Sequence, residues 1–155
     1  MNTEVRPITA AELTAAWQIL LELRPGLSRE DFGKTLRQQS AAHGYELIGA
    51  FEDRKLVGVL GMREVHTFAR GSHLHIDDLV VAADARGQGT GGRLLEYAEA
   101  VARNHGLLQV FLDSRPGAIG FYERRGYRRH ESVLIKKPLD TSARPAATKR
   151  SRILT

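Results

Sequence analysis

The amino-acid sequence predicts a single α/β domain built on a mixed sheet. Three observations lead there. The 155 residues fit one domain, and no linker interrupts them before residue 140. Apolar spacing switches repeatedly between a period near 2 and a period near 3.6. And "ARGQGTGGRLL" (85–95) sets four glycines directly before a strongly helical stretch, the junction expected where a strand hands over to a helix.

Each element follows from local chemistry. "EVRPIT" (4–9) is a short first strand. Thr9 and Glu12 have capping-box spacing, and Leu13, Trp17, Leu20 and Leu21 share a helical face behind them. "RPG" (24–26) breaks that helix. Ser28 with Asp31 starts a second, with Phe32 and Leu36 facing inward and Gly44 closing it. "YELIGAFED" (45–53) and "KLVGVLGMREVHTFA" (55–69) are two strands around a tight turn at Asp53-Arg54, and "HLHIDDLVV" (73–81) is a third. A helix over 90–105 buries Leu94, Leu95, Ala98, Val101 and Ala102 and stops at Gly106. "LLQVFLDS" (107–114) is the next strand. Pro116 opens a short helix carrying Ala118, Phe121 and Tyr122, which ends at Gly126. "YRRHESVLIKKPL" (127–139) is expected to supply one or two closing strands. The domain is thus placed at 1–139, with a basic, flexible tail at 140–155.

Composition excludes several functions. With no cysteine there is no disulfide, thiolate zinc site or cysteine nucleophile, which fits a cytoplasmic protein. No apolar run reaches the ~20 residues that span a bilayer, and no signal peptide is evident. The net charge of +5 is uneven. The last 16 residues hold four basic groups and one acidic, so +3 of it, leaving +2 for the body. That distribution speaks against a nucleic-acid-binding domain. No metal site is expected.

A glycine-rich turn at a helix entrance lets backbone amides approach an anion, and the helix dipole favours negative charge there. Three ligand classes compete. A nucleotide-triphosphate loop needs Gly-Lys-Ser/Thr, and "GTGGR" has no such lysine. A dinucleotide fingerprint is spelled by Gly87, Gly89 and Gly92, with Asp113 where a ribose-binding acid would stand. However, Ala82 to Arg86 separate the strand from Gly87, and the 42 residues after Asp113 are too few for the rest of a doubly wound sheet. The third reading takes Arg86, Gly89 and Gly91 as R-x-x-G-x-G.

In this third form the chain resembles the GNAT superfamily of N-acetyltransferases. "IDDLVVAADARGQGTGGRLL" (76–95) is similar to that family's acetyl-CoA strand, pyrophosphate loop and helix, and "AIGFYERRGY" (118–127) to its second signature. The element order over residues 4–139 is also the family's. The resemblance implies a mixed, mostly antiparallel sheet flanked by helices, acetyl-CoA as co-substrate, and transfer of its acetyl group to a primary amine in a ternary complex.

It further implies where the chemistry lies. Pyrophosphate would meet the amides of Arg86, Gly87, Gln88, Gly89, Thr90 and Gly91. The pantetheine arm would lie on the backbone of Leu79, Val80 and Val81. Strand alternation puts His73, His75, Asp77 and Leu79 on one face, with Asp78 on the other unless a bulge turns it. Asp77 and His75 are the candidate bases, competing with water, and Tyr122 the candidate acid for the leaving thiolate. Arg115 stands where the family often has asparagine, so either a cofactor contact is lost or the arginine reaches a phosphate instead. Trp17, Arg24, Phe32, His66 and Phe68 are candidates for lining the acceptor site, whose acids favour a cationic amine. The alternative function is a non-catalytic, acyl-CoA-binding regulatory domain. The sequence leaves homodimerisation open.

Overall fold

The computed structural model describes residues 2–140. The basic tail falls outside them except for Asp140. Contacts divide the described chain into two units, residues 2–113 and 114–140.

The first unit is a five-stranded sheet with the order β1-β2-β3-β4-β5. Its strands are β1 (Thr3–Pro7), β2 (Glu46–Glu52), β3 (Lys55–Thr67), β4 (Gly71–Val81) and β5 (Val110–Leu112). The first four pair antiparallel, and β5 lies parallel to β4. Helices α1 (Leu13–Leu20) and α2 (Arg29–His43) follow β1, and α3 (Thr90–Asn104) bridges β4 to β5.

Local chemistry accounts for these boundaries. Glu12 accepts from the Thr9 amide at 2.8 Å and from both terminal nitrogens of Arg6, at 2.9 and 2.8 Å, so it welds the start of the first helical region to β1. Ser28 caps α2 by accepting from the Asp31 amide at 3.0 Å. Asp53 and Arg54 both have positive φ, 47° and 69°. This is the two-residue hairpin geometry whose twist matches the flanking strands.

The sheet is covered on both faces. Ala16 and Leu20 of α1, Phe32 of α2, and Tyr45, Leu47, Phe51, Val59 and Val80 form one buried cluster. One residue along β3, a Cβ on Gly58 would meet Leu94 and Thr90. Gly58 therefore faces α3, whose residues Leu94, Leu95, Ala98 and Ala102 are buried.

Two expectations about strands need correction. β5 is paired only over Val110–Leu112, not over 107–114. Residues 127–139 form no closing strand. Val133, Leu134, Ile135 and Leu139 have strand-forming composition but are 74% or more exposed. Propensity makes a strand only where a neighbour supplies the ladder. The second unit holds α4 (Ile119–Glu123), entered through a 3-10 turn at Pro116–Ala118 with Arg115 at its N-cap. No helix among the described residues is long and apolar enough to cross a membrane.

Candidate active site

The site is organised by an irregularity in β4. Gly61 of β3 pairs with Asp78, and the next residue, Met62, pairs with Ile76. Asp77 is therefore an extra residue, a β-bulge. Simple alternation fails here. Val59 and its partner Val80 lie in the cluster under α1 and α2, and Asp78 is two residues from Val80 on that face. Asp77 turns to the same face, where Arg63 and His75 form a cross-strand pair. Leu79 pairs with Leu60, one position from Val59, and so faces the other way. The bulge that the sequence reading left open is present: Asp77 keeps the face of His75, Asp78 is brought onto it, and only Leu79 departs from the expected alternation. The bulge aims two adjacent carboxylates at one side of the sheet.

Each carboxylate has its own partners. Arg63 donates to Asp77 through Nε at 2.8 Å and through a terminal nitrogen at 3.2 Å. This fork engages both oxygens and leaves the pair mostly buried, at 14% and 17% exposure. Asp78 accepts from the Tyr45 hydroxyl at 2.8 Å and from Arg24 at 3.3 Å. Burial pushes the Asp78 carboxyl above its ordinary range, and the Tyr45 and Arg24 contacts pull it back. The Tyr45 phenol lies against the Gly61 backbone, so any Cβ at Gly61 would overlap it. That close approach explains a glycine in mid-strand.

His75 is buried beside the fork. Its Nε2 lies 3.8 Å from Asp77 and 4.0 Å from Asp113. Burial holds its imidazole below the ordinary 6.5, and the two nearby carboxylates oppose that shift only in part. A neutral imidazole with a free lone pair can accept a proton at neutral pH. His73 is likewise buried, with Nδ1 donating to the Gly71 carbonyl at 3.1 Å and its ring edge-on to Phe111, the ring centroids 4.7 Å apart.

Of the candidate acceptor-lining residues, the structure brings only Arg24 to these acids. Trp17 donates to the Leu27 carbonyl at 2.8 Å and packs against the core, and Phe32 is part of it. His66 bonds Ser72 near the β3–β4 hairpin end, and Phe68 is fully exposed at that turn. Conversely, Tyr45 and Arg63 were not anticipated. No local pattern marks them, because only the register of β3 on β4 brings them to Asp78 and Asp77.

Beyond the bulge, β4 runs on to Val81, whereas the β5 ladder ends at Ile76. Backbone groups of residues 77–81 that point toward β5 therefore have no ladder partner there. The chain then passes a 3-10 turn at Ala83–Ala85 and reaches the glycines. Gly87 and Gly89 have φ of 79° and 83°, and a Cβ on either would meet open space. Gly89 is the N-cap of α3, a 15-residue helix whose first amides have no intrahelical partner. A turn that only glycine adopts easily, open to solvent and ending on a helix dipole, fits a pyrophosphate.

In the second unit Tyr122 packs edge-on against Phe121 and Tyr127, with ring centroids 5.1 and 5.8 Å away. Burial raises its phenol above the ordinary value of 10.0, so the hydroxyl keeps its proton at neutral pH.

A family model described as the acetyltransferase (GNAT) family matches residues 10–127. The chain belongs to the GNAT acetyltransferases. One such domain accounts for the matched stretch, and its α/β fold is that of the family's solved members. An uncharacterised N-acetyltransferase of Bacillus subtilis, YhdJ, is 35% identical over 134 residues, covering 83% of this chain and 92% of the relative. A glucosamine 6-phosphate N-acetyltransferase of Trypanosoma brucei brucei is also 35% identical, over 79 residues that make up 50% of this chain and 54% of that one. Among solved structures, an aminoglycoside N-acetyltransferase in complex with CoA superposes with a TM-score of 0.77 at 16% identity, covering 88% of this GNAT chain and 95% of its own.

Proposed function

We propose that this GNAT domain transfers the acetyl group of acetyl-CoA to a primary amine in a ternary complex. The observation that carries the reading is the succession along β4: buried polar groups at His75–Asp78, an unpaired strand edge at 77–81, then a glycine turn opening α3. One strand thus presents, in order, groups for an amine, amides for an extended arm and a seat for a diphosphate. The CoA complex of a structural neighbour supports the choice of cofactor.

Each residue then has a defined task. Amides of residues 86–91 hold the pyrophosphate, and backbone groups of Leu79, Val80 and Val81 hold the pantetheine arm. His75 takes the ammonium proton, directly or through one water, because its lone pair is available while both oxygens of Asp77 are tied to Arg63. Asp77 and Asp113 stabilise the imidazolium once it forms. The amine nitrogen bonds to the acetyl carbon, the carbon–sulfur bond breaks, the Tyr122 hydroxyl supplies the proton to sulfur, and the second proton of the acylated nitrogen returns to the phenolate as the amide forms. Asp78 and Arg24 sit at the amine side.

The test is an acceptor panel with acetyl-CoA, read by release of free thiol. It includes a polyamine, an aminoglycoside, a lysine peptide and a peptide N-terminus. Glucosamine 6-phosphate is added because a relative is named for acetylating it. Acetyl-CoA should raise the melting temperature and NADH should not. Stabilisation by NADH alone would restore the dinucleotide reading. Stabilisation by acetyl-CoA with no thiol release on any amine would favour a non-catalytic acyl-CoA-binding domain.

A further inference from the structure

The turn after α1 reaches the glycine loop from across the fold. Glu22 sits there, and both of its carboxylate oxygens are used on the segment that leads into α3. Oε1 accepts from the backbone amide of Ala83 at 3.2 Å. Oε2 accepts from a terminal nitrogen of Arg86 at 2.9 Å. Arg86 is also fixed from the other side, where its Nε donates to the Val81 carbonyl at 3.1 Å. A single carboxylate thus grips Ala83 and Arg86, the two ends of the four-residue stretch that leads directly into Gly87. Its main-chain position is itself held, since the Glu22 amide donates to Ile19 and the Arg24 amide to Leu20.

We infer that Glu22 is a positioning residue for the pyrophosphate loop: its two-point grip on Ala83 and Arg86 sets where the Gly87–Gly89 amides present themselves to the diphosphate of acetyl-CoA. This rests on the reading of that loop given above. The guanidinium of Arg86 is then a strut of the loop, shared between Glu22 and Val81, and the phosphates are met by backbone amides. The role is directional rather than stabilising. The Glu22–Arg86 pair is substantially exposed, with 34% and 59% of the two side chains accessible, and such pairs add little to folding. Placing amides to within a fraction of an ångström matters far more for a bound anion than for the fold.

The test separates diphosphate recognition from general loosening by comparing two thioesters. Acetyl-CoA carries the diphosphate; acetyl-pantetheine lacks it. Dissociation constants for both are measured on the full chain, by calorimetry and by ligand-observed NMR, for the wild type, Glu22→Gln and Glu22→Ala. Gln retains an oxygen for the Ala83 amide but loses the ionic hold on Arg86. Glu22→Ala should weaken acetyl-CoA by about tenfold relative to acetyl-pantetheine, the scale of a lost charge-assisted hydrogen bond, with Glu22→Gln in between. Melting temperatures should stay within about 2 °C of the wild type. An unchanged ratio of the two constants in both variants would overturn the inference. So would a parallel loss of both ligands with a large drop in melting temperature, which would make Glu22 a structural residue. Failure of the wild type itself to bind acetyl-CoA would instead sink the reading of the loop.

Discussion

The Tyr45 hydroxyl donates a 2.8 Å hydrogen bond to Oδ2 of Asp78 across 33 residues of sequence, from the entry of β2 to the bulged part of β4. Tyr45 is buried, and the Asp78 side chain is mostly so, at 17% exposure. The bond compensates a carboxylate that burial would otherwise drive toward its neutral form.

Tyr45→Phe should therefore destabilise the protein by about 1–3 kcal/mol at neutral pH, the cost of a buried acceptor losing its donor. The sign with pH follows from the shift. Asp78 is raised in the folded state, so its ionisation costs stability above that value and the cost fades as pH falls and the group is protonated. Removing the Tyr45 donor raises it further. The deficit of the variant should shrink as pH is lowered from neutral through the raised Asp78 value, as read by urea unfolding over an acidic pH series. A deficit that stays constant down to where Asp78 is protonated in both proteins would show that Asp78 does not depend on Tyr45 for its charge.

The fold was largely legible because its signals are local. The Ser28 cap, the Asp53-Arg54 turn and the buried stripe on α3 are set by neighbours a few residues apart, and each stands where the sequence places it. The site was legible only up to the bulge. The family resemblance singled out His75 and Asp77 as candidate bases and alternation left a bulge open for Asp78, but where the extra residue of β4 falls depends on pairing with β3, which no local pattern reveals. The same holds for residues 127–139. Their Val133-Leu134-Ile135 run has strand propensity, yet a strand also needs a partner, and sequence shows propensity without pairing.

His75 should govern the acid limb of the rate. Burial lowers its pKa below 6.5. As the base it must be unprotonated, so kcat/KM should rise with pH through a value under 6.5, and that limb should vanish in His75→Gln while the rate falls by roughly 10²–10⁴-fold. Stability should move in the same direction. Below pH 6.5 the unfolded imidazole takes up protons that the folded one resists, so the native state weakens as the solution becomes more acidic. A wild-type limb that persists in His75→Gln would assign it to another group.

Gly89→Glu should abolish acetyl-CoA binding. The position has φ of 83° and open space around a Cβ, so the substitution costs about 1–2 kcal/mol of backbone strain but creates no clash. It does put a negative charge at the helix entrance. The variant should remain folded by circular dichroism and show no melting shift with acetyl-CoA. A folded variant that binds normally would mean that the diphosphate sits elsewhere.

Tyr122→Phe separates an enzyme from a binding module. The change removes one hydroxyl and keeps the ring that packs against Phe121 and Tyr127, so melting should move little. The phenol is raised above 10.0 by burial and stays protonated through the working range, as a donor to a departing thiolate must. If it plays that part, its hydroxyl matters mostly while charge develops on sulfur. Turnover should then fall by roughly 10²–10⁴-fold with acetyl-CoA affinity nearly constant. A thioester with a more acidic thiol leaving group should recover part of the loss, because such a thiolate needs the proton less. Equal turnover in the two proteins would leave Tyr122 as a packing residue. A matched loss of affinity and turnover, without recovery by the better leaving group, would make the hydroxyl a contact that positions the cofactor.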